Sequence, residues 1–183
     1  MKRREEEKNT ARSYNLNASK YHASRVLGGK VTNEYIDIPT TLRLLPDLKG
    51  KSLLDIGCGS GILGICAAKL GAKSVLGIDI DETAVKVSKE NALINNTSNI
   101  EFIQGDLLDS VSDKYDVIVA NIVADIIIGM TATIKRYLKE NGFFISSGII
   151  NERKDEVRNV LIKNSFEIIE EFQDGEWTSF VAR

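Results

Sequence analysis

The sequence predicts an α/β fold: a mostly parallel sheet covered by helices and closed by an antiparallel C-terminal hairpin. Three observations predict it. From Ser52 onward, short apolar runs alternate with longer stretches of helical periodicity, the pattern of parallel strands joined by right-handed crossovers. The first apolar run stops in Gly57-Cys58-Gly59-Ser60-Gly61, and a helical pattern starts at once. At the far end, two strand-like runs flank Asp174-Gly175, a strong hairpin-turn signal.

In order, Thr40 to Leu48 carries Leu42, Leu45 and Leu48 as a short helical stripe broken at Pro46. Strands are expected at 52–56, 74–79, 100–104, 115–120 and 142–147. Helices are expected near 62–70, 82–95 and 123–139, the last carrying Ile127, Met130, Ile134 and Leu138. Glu152 to Asn164 places Val157, Val160 and Leu161 on one helix face. The closing hairpin pairs 166–173 with 176–182, bringing the strand total to seven. Before Ser52 the chain is polar. A charge run at 1–9 reads as a solvated or frayed end, and 10–36 as an irregular arm. The organisation expected is an arm or lid over 1–50 and one ligand-binding domain over 51–183.

Composition narrows the function classes. The chain has 183 residues, 43% hydrophobic and 27% charged, with a net charge of −2. That balance gives no direct nucleic-acid signal. No apolar run approaches a membrane span and no signal-peptide core is visible, so the expected location is cytoplasmic. Cys58 and Cys66 lack a CxxC partner and read as reduced thiols filling small spaces. With one histidine, His22, a His-rich metal site is excluded and no metal is expected.

The chemistry concentrates at strand ends. Gly57, Gly59 and Gly61 let the backbone approach a ligand closely, and the following helix turns free N–H groups toward it. Nicotinamide and flavin enzymes place a third glycine where Ile62 stands. Asp79 ends the second strand and can accept both hydroxyls of a ribose, with Ile80 against one face of an adenine. Asp81 reads as a helix N-cap. Gln104-Gly105-Asp106-Leu107 follows the third strand. Asn121 follows the fourth, offering a donor and an acceptor or a helix cap.

In this spacing, with Asp55 ahead of G-x-G-x-G, the chain resembles class I methyltransferases, a Rossmann-like, seven-stranded fold that uses S-adenosyl-L-methionine and releases S-adenosyl-L-homocysteine. The resemblance implies that Asp55, Gly57, Gly59 and Gly61 surround the amino-acid end of the cofactor. It implies that Asp79 holds the ribose, that Asp106 accepts from the adenine amine, and that Ile80 and Leu107 cover the ring. Asn121 would hold the methionine end or orient the nucleophile.

From Leu53 to Arg183 the chain is similar to the catalytic domain of ribosomal-protein lysine methyltransferases, which modify ribosomal protein L-eleven. The matching text is DIGCGSGILGI (55–65), AAKLGAK (67–73), GIDID (77–81), ENA (90–92), VANI (119–122), SGII (147–150) and GEW (175–177). The implied reaction is methylation of a protein amine. Residues 1–50 depart from that pattern. They lack the family's Phe-Gly-Thr-Gly-x-His segment and resemble the lids of small-molecule methyltransferases. A small-molecule acceptor is therefore the alternative, beside a non-catalytic module that only binds the cofactor. The catalytic group is unassigned, with Asn121 and His22 as candidates and Tyr14 and Tyr21 beside them in the arm.

Overall fold

Strand β1 (Ser52–Ile56) is apolar on both sides because both of its faces are covered: Leu53, Leu54 and Ile56 are completely buried. In this computed structural model residues 38–183 are described, and a short helix α1 (Ile38–Arg43) precedes β1. The elements that follow are α2 (Ile62–Lys69), β2 (Ser74–Asp79), α3 (Glu82–Ile94), β3 (Ile100–Gln104), β4 (Tyr115–Asn121) and α4 (Ala124–Ile134). Strand β5 (Leu138–Ile150), α5 (Lys154–Lys163), β6 (Ile168–Asp174) and β7 (Trp177–Ala182) complete the chain.

Among the described residues the sheet has seven strands in the order β3-β2-β1-β4-β5-β7-β6. The first five are mutually parallel, and β7 runs antiparallel to both β5 and β6. The Asp174-Gly175 hairpin forms, with Gly175 at φ 57°. The expected architecture is therefore observed.

The two sheet faces are distinct. Leu53, Val117, Val119, Ile145 and Val181 face α2 and the Leu42–Leu48 stretch. Leu48 is buried there to 2% exposure, so the segment ahead of β1 is anchored to the sheet. Helix α3 continues that layer over Phe102. On the other face, Leu54, Ile56, Ile118 and Phe144 pack against Ile127 and Met130 of α4 and Val157 and Leu161 of α5. Burying side chains as large as Phe102, Phe144 and Phe180 stabilises the fold by ~2–3 kcal/mol each.

One boundary differs from expectation. Helix α4 stops at Ile134, and β5 begins at Leu138. Leu138 pairs with Tyr115, the register slips, and Val117 then pairs with Phe143. The irregular stretch between them contains Asn141 at φ 58°. It also contains Gly142, where a Cβ would meet the Asp116 carbonyl at 3.1 Å. Leu138 is buried in the same cluster as Ile134, but from a strand.

Candidate functional site

The strand order reverses direction at β1: the chain builds outward through β2 and β3, then returns to β4 on the other side. This opens a crevice beyond the carboxyl ends of β1 and β4, where open α/β sheets bind ligands.

The loop after β1 is bound to its neighbour, since the Gly57 and Cys58 N–H groups both donate to the Ile78 carbonyl, at 2.8 and 3.0 Å. Its three glycines have positive φ (69°, 54° and 81°) but different surroundings. A Cβ on Gly57 would lie 2.5 Å from Ile122 Cγ2, and one on Gly61 would lie 2.7 Å from Phe102 Cζ. A Cβ on Gly59 would enter open space. Packing and conformation together require the outer glycines, whereas the middle one keeps a side chain out of the crevice.

Asp79 is the hub. Its Oδ2 accepts from Gly59 N–H at 2.8 Å and its Oδ1 from Asp81 N–H at 3.0 Å. Its main-chain carbonyl accepts from Gly105 N–H at 3.0 Å. One residue therefore ties together the loops after β1, β2 and β3. Each carboxylate oxygen keeps acceptor capacity for a further donor. Asp81 is the expected N-cap of α3, accepting from Thr83 N–H at 2.8 Å.

Asp55 is placed differently from Asp79. It is 1% exposed and lies under α2, with Oδ2 accepting from Gly64 N–H at 3.0 Å. Gly61, the N-cap of α2, has no side chain to cap with, so Asp55 serves one of the helix's free donors from the adjoining strand. Burial and the negative charge of Asp79 push its carboxyl up to about 7, against the pull of the Gly64 bond.

The apolar and polar groups expected around an adenine gather on the β2–β3 side. Ile80 is 40% exposed at the end of β2, its carbonyl held by Gln104 Nε2 at 3.2 Å. Leu107 has φ 49°, uncommon for a residue of its type, and packs against the core. Asp106 beside it is exposed at the surface, and partial desolvation followed by the Asp109 charge raises its carboxyl above the ordinary value.

On the β4 side, Asn121 ends the strand opposite Ser147 of β5. A Cβ on Gly148 (φ 75°) would come within 2.7 Å of Asn121 Oδ1, so that glycine makes room for the carboxamide. Among the described residues the Asn121 side chain makes no hydrogen bond. Ser147 Oγ accepts from Thr41 Oγ1 at 2.8 Å, fastening α1 to this edge. The site thus brings together Asp55, Gly57, Gly59, Gly61, Asp79, Ile80, Asp106, Leu107 and Asn121 at one end of the sheet. His22, Tyr14 and Tyr21 lie outside the described residues.

Sequence reading missed the support for the glycine loop. Asn91 Nδ2 donates to the Ser60 carbonyl at 2.9 Å. Ser88 is fully buried, and its Cβ would lie 2.9 Å from a Cβ on Gly61. These two polar residues, three apart on α3, form one face toward the loop. That spacing was the available signal.

The family model described as ribosomal protein L11 methyltransferase (PrmA) matches residues 40–183. A ribosomal protein L11 methyltransferase of Clostridium botulinum is 49% identical over 132 residues, covering 72% of this chain and 42% of that protein. One of Acetivibrio thermocellus is 46% identical over 134 residues, covering 73% and 43%. The chain therefore spans less than half the length of these relatives. A crystal structure of a ribosomal protein L11 methylase from Lactobacillus delbrueckii subsp. bulgaricus aligns with TM-score 0.75 and 35% identity, covering 80% of this chain and 76% of that one. A precorrin-6y C5,15-methyltransferase from Geobacter metallireducens shares the fold alone, with TM-score 0.70 at 14% identity and coverage of 80% and 86%. Glycine loop, acidic hub, strand order and sequence agree, and the chain belongs to the ribosomal protein L11 methyltransferase (PrmA) family.

Proposed function

We propose that this chain binds S-adenosyl-L-methionine and transfers its methyl group to a protein amine, a lysine side chain, on ribosomal protein L11, the protein its relatives' names point to. The observation that carries the reading is the Asp79 hub beside the open face of Gly59. It offers paired acceptors for ribose hydroxyls and backbone space for the amino-acid end. Ile80 and Leu107 supply an apolar slot for the base, with Asp106 at its edge as acceptor for the exocyclic amine.

When bound, the cofactor supplies a methyl group already activated on a sulfonium, so the protein's share is positioning and exclusion of water. Asp55 supports the helix behind the glycine loop by accepting from Gly64 N–H. Asn121 offers a carboxamide donor and acceptor at the β4 end, suited to orienting the incoming amine. That amine must arrive neutral, and free lysine has a pKa of about 10.4. Desolvation beside Ile122 and Val123 favours the neutral form. Helix α1, fastened to Ser147 through Thr41, borders the acceptor side.

The test is incubation with methyl-labelled cofactor and ribosomal protein L11, read by mass spectrometry. Methylated lysine on L11 supports the reading. An unmodified L11 beside a methylated small amine moves the substrate to the small-molecule class. Uptake of S-adenosyl-L-homocysteine without turnover on either leaves a binding module.

A further inference from the structure

Asn151 is the first residue beyond β5, and its side chain and N–H both bond the β6–β7 hairpin. Its Nδ2 donates to the Gly175 carbonyl at 2.9 Å, and its Oδ1 accepts from Thr178 Oγ1 at 2.7 Å. Its N–H donates to the Glu176 carbonyl at 3.0 Å. Three bonds therefore fix the turn 174–177 against the carboxyl end of β5, which is the end of the sheet where the site lies.

The strand register shows what this turn presents. Ile150 is directly opposite Trp177, so the two side chains share a face. Ile150 is 43% exposed, a large apolar side chain at the surface. The Asn121–Ser147 pair lies three residues back along β5, roughly 10 Å at the usual strand rise. An extended peptide covers that span in about three residues.

Two carboxylates rim this edge. Asp174 and Glu176 are exposed and form no ion pair among the described residues; Asp174 accepts only from Thr40 Oγ1, at 3.4 Å. The nearby cations have other partners: Arg43 lies over the Phe172 ring, Arg153 pairs with Asp125 and Glu156, and Lys154 pairs with Glu171 and reaches Gln173. An apolar pair rimmed by unpaired carboxylates complements a cationic polypeptide and repels nucleic acid.

Resting on the methyl-transfer reading above, we propose that Ile150, Trp177 and the turn 174–177 dock the lysine-bearing cationic segment that carries the acceptor amine. Asn151 is the positioning residue that holds this edge in register with Asn121.

Trp177 is the single tryptophan of the chain, so its emission reports on this edge directly. The experiment titrates the full chain, saturated with S-adenosyl-L-homocysteine, with oligolysine and with oligoglutamate of equal length. Oligolysine shifts Trp177 emission and oligoglutamate does not. The double substitution Asp174→Asn with Glu176→Gln, at exposed positions, weakens oligolysine binding about fivefold, and added salt does the same. Asn151→Ala weakens the peptide while S-adenosyl-L-homocysteine affinity by calorimetry stays unchanged, a split that general loss of structure does not produce. Uptake of S-adenosyl-L-homocysteine with a silent Trp177, or a double variant that binds oligolysine like the parent, overturns the docking edge alone. Absence of that uptake removes the methyl-transfer reading and this proposal with it. A Trp177 shift that follows protein concentration without peptide identifies a second copy as the occupant and also overturns it.

Discussion

Gly59 and Gly61 separate two reasons for a glycine. Both have positive φ, where a side chain costs ~1–2 kcal/mol. At Gly61 an added Cβ also strikes Phe102 and Ser88, whereas at Gly59 it meets nothing. Gly59→Ala is therefore expected to cost about 1–2 kcal/mol in urea unfolding, and Gly61→Ala a further ~1–3 kcal/mol from overpacking. Asp55 gives a second prediction at this scale. Its folded carboxyl titrates near 7 against 3.8 for the ordinary group, so the folded state holds the proton more tightly. The stability this contributes is full below about 3.8 and is lost as pH rises through about 7. Asp55→Asn keeps a carbonyl acceptor for Gly64. Thermal melts should show the parent losing stability relative to Asp55→Asn across that window, and parallel curves would contradict the assignment. Asp79 and the glycines were legible as residues because strand-end spacing marks them. The burial of Asp55 and its bond to Gly64 were not, because they depend on where α2 lands over β1.

At the scale of elements, the strands were legible where both faces are covered, since 117–120 reads as a continuous apolar run and 53–56 as one interrupted only by Asp55. The end of α4 was not. Ile127, Met130, Ile134 and Leu138 all enter one apolar cluster, so helical spacing runs on past the point where the backbone becomes a strand. The Thr41–Ser147 bond joins residues far apart in sequence and has no local signature. At the end of the sheet remote from the site, Asp116 clamps β1, β4 and β5. Its Oδ2 accepts from Ser52 N–H and Oγ and from Lys139 Nζ, all at 2.8 Å. Partial burial works against its charged form, but the Lys139 and Ser52 bonds outweigh it and bring the carboxyl down to about 2. The resulting stability is present above about 3.8 and is lost as pH falls through about 2, the opposite sign to Asp55. Asp116→Ala should lower stability by about 1–2 kcal/mol in urea unfolding and leave S-adenosyl-L-homocysteine affinity unchanged in calorimetry. A matching loss of affinity would contradict the separation of the two sheet ends.

For the whole molecule, the reversal of strand order at β1 decides where chemistry can occur. It brings the loops after β1, β2 and β3 into bonding distance of one residue, Asp79, and sets the β4 and β5 ends beside them. The antiparallel hairpin then carries its turn to that same end, adding an edge that parallel strands alone would not supply. On the methyl-transfer reading proposed above, Asp79 both organises this crevice and holds the cofactor's ribose. Isothermal calorimetry with S-adenosyl-L-homocysteine, comparing the parent with Asp79→Asn, tests it most directly. Loss of charge-assisted acceptors worth ~1.5–3 kcal/mol predicts roughly a tenfold to hundredfold weaker Kd. Equal affinity in the two proteins, or no heat of binding in the parent, would contradict the account.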